Sequence, residues 1–361
     1  MPGDGTKTGI TTNSAILPAQ PVLRQAVEAY RMRWKRRRLL WRAFRSRHQL
    51  TVLQDKTGSI GARSILLFCV VRNEKVRLPH FLKYYRALGV DAFFFVDNGS
   101  DDGTLELLLK QDDCSVWQTQ ASYKAARFGM DWINHLLRVY GSGRYCLTVD
   151  ADELIDFSGM NRVDLKGLRA WMEARDRASL GGLMIELFPK GLLGASEFEP
   201  GSDPLRRLTF FDARSYRAKR QTPLRNLWVQ GGARERVFFK TDPRRSPTLN
   251  KIPLVKWQRG YAYVNSTHSM LPPKMNEAYI DGLGEMQPSV ALLHTKFLPD
   301  VVARSAEEKK RGEHFSNSRA FDAYYNALCA DLELWHEDAR LYEGPEQLEA
   351  LGLIKAGDWE R

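Results

Sequence analysis

Asp150 and Asp152 close the run Tyr-Cys-Leu-Thr-Val-Asp-Ala-Asp-Glu, directly after an apolar stretch that begins at Tyr145. If that stretch is a buried strand, residues two apart share a face, and the two carboxylates can point together at one cation. Carboxylates are hard oxygen ligands suited to Mg²⁺ or Mn²⁺, and a cation held by only two of them keeps positions open for phosphate oxygens. The chemistry implied is departure of a diphosphate. Alone, an acidic pair at the mouth of a loop is usually a solvated turn or a helix cap. A phosphoaspartyl hydrolase also places Asp-x-Asp after a strand, but it wants a small hydroxyl or β-branched residue shortly afterwards, and here Glu153, Leu154 and Ile155 follow. The other acidic cluster, Asp-Asn-Gly-Ser-Asp-Asp-Gly-Thr at 97–104, lacks the spacing and the closing Glu of an EF-hand.

The elements that would position these residues alternate. Ile65–Val71 is a continuous apolar, β-branched run; Arg72, Asn73 and Glu74 follow, and then a helical pattern through Leu78, Phe81, Leu82, Tyr85 and Leu88 that Gly89 stops. A second run over 92–96 ends in Asp97, and a helix is expected over 104–110. A further helix over 124–140 leads to the Asp-x-Asp strand. Alternating strand and helix predict an α/β fold, a mostly parallel sheet with helices on both faces. Ligands of such sheets bind beyond the carboxyl ends of the strands, where all three polar clusters fall.

Taken in order, Arg-Asn-Glu after the first strand, the 97–104 cluster after the second and Asp-Ala-Asp-Glu after a later one resemble the family 2 glycosyltransferases. The resemblance spans about residues 64–300 and is closest to a bacterial subgroup with Asp-Asn-x-Ser-Asp-Asp-Gly-Thr in second place. It implies a GT-A fold, a nucleoside-diphosphate sugar donor, and Mn²⁺ or Mg²⁺ as cofactor. Carried over by position, Arg72, Asn73 and Glu74 would lie at the nucleotide pocket and Asp97 on the base or ribose. Asp150 and Asp152 would form the metal–diphosphate motif.

Further candidates lie in the second half. In the segment 228–239 a Gly pair precedes Arg234 and Glu235, which suits a turn where backbone approaches a ligand. An inverting transferase needs a carboxylate to take the acceptor proton. Glu235 lies about as far after Asp-x-Asp as the base does in the family, although the family more often shows Glu-Asp there; its other reading is a surface salt bridge with Arg234 or Arg236. Glu186, polar within an apolar run, is the second candidate. His294, after the run 290–293, stands where GT-A enzymes often supply a third metal ligand, with His268 as competitor and a structural histidine as the ordinary alternative. Lys296 and Lys256 could neutralise the diphosphate, or be ordinary exposed lysines.

The 361 residues are 43% hydrophobic, enough for a large core. Cys69, Cys114, Cys146 and Cys329 show no Cys-x-x-Cys spacing, so no disulfide and a reducing compartment are expected. No apolar run reaches the roughly 18 residues that cross a bilayer, and no signal-peptide core is visible, so a cytoplasmic enzyme is expected, with a peripheral place on the inner face of the cell membrane as an option. The net charge of +11 is local: the segment from Arg31 to Arg47 carries nine basic residues and no acidic one, and the rest of the chain is near +2. Trp34, Leu40, Trp41 and Phe44 are interleaved with the arginines, which suits a helix lying on anionic lipid; nucleic acid is the weaker partner, and a basic leader packed on the catalytic domain weighs equally with membrane attachment.

The expected plan is a disordered leader over 1–20, a basic arm over 21–60, a GT-A domain over 61–298 and a helical extension over 299–361 with an apolar stripe of Phe321, Tyr324, Tyr325, Leu328 and Leu332. The expected activity is sugar transfer to a hydroxyl of a glycan or a lipid-linked saccharide. The alternatives are a GT-A nucleotidyltransferase, whose Gly-rich basic loop Arg72–Asn73–Glu74 does not resemble, and a non-catalytic binding protein that keeps the sugar-nucleotide fold.

Overall fold

The strand β2 (Ile65–Val71) splits its side chains between two layers, as the period of two requires. Leu67, Cys69 and Val71 face Leu78, Phe81 and Tyr85 of α2 (Leu78–Ala87), while Leu66 and Phe68 face Trp132, Ile133 and Leu136 of α4 (Met130–Leu136). The neighbouring strand β3 (Ala92–Asp97) does the same, and on the α4 side the Phe68 and Phe94 rings stack at 4.5 Å between centroids. Each such ring contributes about 1.5–3 kcal/mol by burial. The computed structural model describes residues 9–12, 14–195, 197–311, 324, 326, 328 and 332–360.

Nine strands form the central sheet. Besides β2 and β3 they are β1 (Thr51–Gln54), β4 (Cys114–Gln118), β5 (Tyr145–Thr148), β6 (Glu153–Asp156), β7 (Ser179–Glu186), β11 (Asn250–Lys256) and β14 (Ser289–His294), in the order β1-β4-β3-β2-β5-β11-β7-β14-β6. Six strands run in one direction, and β1, β11 and β6 run against them. The fold is thus α/β, with a mostly parallel, Rossmann-like sheet between helices. Short strands lie outside it: β8 (Phe210–Phe211) pairs with β15 (Arg340–Leu341), β9 (Arg217–Gln221) with β10 (Asn226–Gln230), and β12 (Ala262–Tyr263) with β13 (Met270–Leu271).

The helix α3 (Thr104–Leu109) connects β3 to the parallel β4 in the doubly wound pattern, whereas α5 (Leu165–Ala174) follows the reversed strand β6. The helix expected over 124–140 begins later: Arg127 and Phe128 adopt φ of 56° and 57°, and α4 starts at Met130. A tertiary bond accounts for this: Arg127 donates to the Tyr263 carbonyl at 3.0 Å, and its guanidinium also makes a local pair with Asp131 at 3.1 Å. The basic arm is α1 (Val22–Ser46), packed on α4, and β1 beyond it joins the sheet edge against β4. In the leader, Thr11 bonds Tyr216 and Ala15 is buried; residues 1–8 and 13 lie outside the described residues. The helical extension contains α7 (Val301–Arg311) and the short α8 (Pro345–Ala350). Of its apolar stripe, Tyr324 and Leu328 are buried and Leu332 packs on the core, whereas Phe321 and Tyr325 lie outside the described residues, as does Cys329. Cys69, Cys114 and Cys146 are buried free thiols.

The end of β6 carries a titratable core carboxyl. Burial pushes Asp156 up to about 6, although the Tyr342 hydroxyl and the Phe157 amide donate to it. A carboxyl raised in the native state is unpenalised while it is protonated in both states. Stability should therefore fall as pH rises from about 4, where the unfolded side chain ionises, towards 6. Asp156→Asn keeps the shape and should flatten that difference, as measured by urea unfolding of both proteins across the window.

Candidate functional site

The register of β2 on β3 places Val71 beside Asp97, so the two following loops leave the sheet together and are knitted to each other. Arg72 Nη1 donates to the Asn98 carbonyl at 2.7 Å, the Asn73 amide to Ser100 Oγ at 3.0 Å, and the Glu74 amide to Thr104 Oγ1 at 2.8 Å. Asn73 sits at φ 53° and returns a bond by accepting from the Asp101 amide at 2.9 Å. Asp97 Oδ2 caps the Gly99 and Ser100 amides at 3.1 and 3.2 Å, and its Oδ1 is buried with no partner among the described residues.

Beyond these loops lies a cavity of about 800 Å³ at the carboxyl ends of the parallel strands. Arg72, Glu74 and Asn98 form one wall, Asp150, Asp152 and Glu153 the next, and Arg234, Lys251, His268, His294 and Lys296 the far side. Eight cationic side chains face it against four carboxylates. Helix α7 supplies Arg304, which is tied to Glu74 at 2.9 Å, while Arg77 makes a two-point pair with Asp300 at 2.8 and 3.0 Å.

The acidic triad is positioned by three strands. Carboxylate oxygens of Asp150, Asp152 and Glu153 lie within 4.8 Å of one another and could hold a divalent cation. Strand β11 runs antiparallel to β5 with Leu254 opposite Leu147, which carries Lys251 to Asp150, and the ammonium bonds Asp150 at 2.7 Å and also Glu153. Burial works against both charges. Lys251 nevertheless holds Asp150 below the usual carboxylate range, and the two carboxylates hold Lys251 in its charged form. Glu153 is pushed up to about 8 by burial and by Asp150 and Asp152, despite Lys251. Strand β14 brings His294 opposite Glu153 and Glu186, and its Nε2 lies 3.1 Å from Asp152 Oδ2. Against the effect of burial, His294 and then Lys296 and Arg77 hold Asp152 well below its ordinary value.

Arg72, Glu74, Asp150, Asp152 and His294 are thus brought together as the sequence suggests, along with the competitors His268 and Lys296. Asn73 and Asp97 instead shape the loops behind the wall. Lys256 is not part of the site: it lies opposite Tyr145, at the far end of β5, with its ammonium 5.8 Å from that ring. Because β11 is antiparallel, Lys251 at its other end reaches the carboxylates. Glu235 is also displaced. It belongs to α6 (Gly232–Phe238), where successive residues turn by about 100°, so Arg234 lines the cavity while Glu235 binds Arg217 and accepts from Ser246 Oγ at 2.6 Å. Glu186 is buried against Arg234, whose amide donates to it at 2.8 Å. Sequence reasoning missed Arg77, Lys251 and Arg304, and marked Arg234 only as the neighbour of a Gly turn without a role; each depends on a partner far away in the chain. Glu235→Ala should accordingly leave any turnover within about threefold, since the carboxylate it removes is held by Arg217 and Ser246 and does not line the cavity, and steady-state kinetics check this.

No family model and no curated protein matches the sequence. Among solved structures 35 chains match. One is the crystal structure of a 4-diphosphocytidyl-2C-methyl-D-erythritol synthase, at 17% identity and a TM-score of 0.25, covering 40% of this chain and 67% of that one. The likeness is too distant to speak to activity.

Proposed function

We propose that this protein is a metal-dependent glycosyltransferase of the family 2 type, moving a sugar from a nucleoside diphosphate to an acceptor hydroxyl with inversion. The observation that carries the reading is the placement of Asp150 and Asp152 at the end of β5, facing a cavity with a surplus of cationic side chains. A surplus of this kind suits a diphosphate, and the hard carboxylate oxygens fit Mn²⁺ or Mg²⁺. Asp150 and Asp152 would hold the ion, with Glu153 behind them and His294 orienting Asp152; a bound ion would neutralise the departing diphosphate. Arg72 and Arg234 would bind and orient its oxygens.

The acceptor proton needs a base. His268 lies on the cavity wall and makes no ion pair among the described residues. Its Nδ1 lies 2.8 Å from the Asn250 carbonyl, which assigns the proton to Nδ1 and leaves Nε2 as an acceptor. Burial and then Lys251 push the ring down to about 4, so it is neutral at pH 7. We assign it the role first given to Glu235. His268→Gln should lower turnover by roughly 10²-fold at unchanged donor affinity.

The test is a thermal-shift panel of nucleoside diphosphates and their sugars, each with and without Mn²⁺, because a ligand that binds the native state alone raises its melting temperature. A metal-dependent shift with one diphosphate supports the transferase and identifies the base. A shift with triphosphates alone favours a nucleotidyltransferase, and no shift at all removes the nucleotide reading.

A further inference from the structure

Helix α1 buries one side and leaves the other without a protein partner among the described residues. Met32, Leu39 and Ala43 pack inward, on the hairpin of β12 and β13 and on α4. Outward, Leu23, Val27, Tyr30, Trp34, Trp41 and Phe44 are 77%, 48%, 60%, 53%, 59% and 39% exposed. Their spacing follows the helical repeat, so they form one stripe that runs about 30 Å at 1.5 Å per residue. Arg31, Arg37, Arg38 and Arg45 are exposed beside it, and the one acidic side chain of the helix, Glu28, is paired with Arg24.

We infer that this face of α1 docks the protein flat on an anionic phospholipid surface. An apolar stripe of this length on a soluble face has a standing cost in water. Tyr and Trp rings suit the headgroup boundary, and guanidinium groups at the edges pair with lipid phosphates. Nucleic acid fits less well: Leu23 and Val27 give no stacking surface, and one face of the Trp34 and Phe44 rings is already covered by Arg37 and Arg47, at 5.3 and 3.6 Å. Docking here is not insertion, since no helix among the described residues is long and apolar enough to cross a membrane.

The same helix is coupled to the cleft. Arg42 pairs with Asp131 at 2.7 Å, Asp131 pairs with Arg127, and Arg127 lies on the cavity wall. The hairpin under α1 continues into Val264, Ser266 and His268 of that wall. A bilayer on α1 would therefore lie beside the cleft, and the acceptor hydroxyl would be carried by a membrane lipid. This last step rests on the glycosyl-transfer reading; the docking itself does not.

The experiment is co-sedimentation of the full chain with phosphatidylcholine vesicles, with and without phosphatidylserine, and with duplex DNA and RNA as competitors. Binding should need phosphatidylserine. It should fall at least about tenfold in Trp34→Glu/Trp41→Glu and in Arg37→Glu/Arg38→Glu, with melting temperature and soluble donor turnover unchanged. No binding by the parent protein, binding by either variant as strong as the parent's, or tighter binding to nucleic acid than to vesicles would overturn the docking. If vesicles bind as expected and no nucleotide sugar is turned over, docking stands and the proposed chemistry falls.

Discussion

Asp152→Asn should reduce metal-dependent donor turnover on the order of 10³-fold, the loss expected when an ion that stabilises a leaving phosphate by several kcal/mol is no longer held. The substitution keeps size and shape. The backbone carbonyl of Asp152 still accepts from the Thr295 amide at 2.7 Å and from its hydroxyl at 3.0 Å, and an amide can still meet the His294 ring, which lies 3.1 Å from Oδ2. What disappears is the negative charge at a position where three carboxylates converge. The parent protein should gain melting temperature with Mn²⁺, and the variant should not. Unchanged turnover together with an unchanged response to Mn²⁺ would defeat both the metal site and the transferase reading. A general loss of fold would instead show as a lower melting temperature without the ion.

The largest stability effect is expected at Glu186. Its carboxylate and the Arg234 guanidinium are both buried in the core between β7 and α6, and Glu186 also accepts from the Arg234 amide. Glu186→Ala leaves a buried cation and a buried amide without their acceptor, and should cost about 3–5 kcal/mol. The double variant Glu186→Leu/Arg234→Met removes both charges and should recover most of that loss, as denaturant unfolding would reveal. It should still lack donor binding, because Arg234 faces the cavity. If Glu186→Ala unfolds at the same denaturant concentration as the parent, the buried pair does not hold α6 in place.

The strands that build the site were legible because their side chains are apolar without interruption: β2 was expected over the span it occupies, and β3 and β5 within a residue. The turns were legible too, as Gly89 does stop α2 at a φ of 91°. Asp150 and Asp152 stood out only in company, as the third of three polar clusters that each follow an apolar run. The start of α4 was less legible. A local helical pattern over 124–140 was overridden by bonds that Arg127 makes to a hairpin more than a hundred residues later.

By itself, the sequence determined the α/β alternation, the three polar loops at strand ends and the concentration of positive charge in one segment, because each is written in neighbouring residues as periodicity or composition. The tertiary structure decided which charges meet. The reversed direction of β11 chose Lys251 over Lys256, the turn of α6 chose Arg234 over Glu235, and the packing of α1 on α4 chose which face of the basic helix stays exposed. These choices depend on strand direction and on contacts between residues far apart in the chain, and no short-range pattern encodes either.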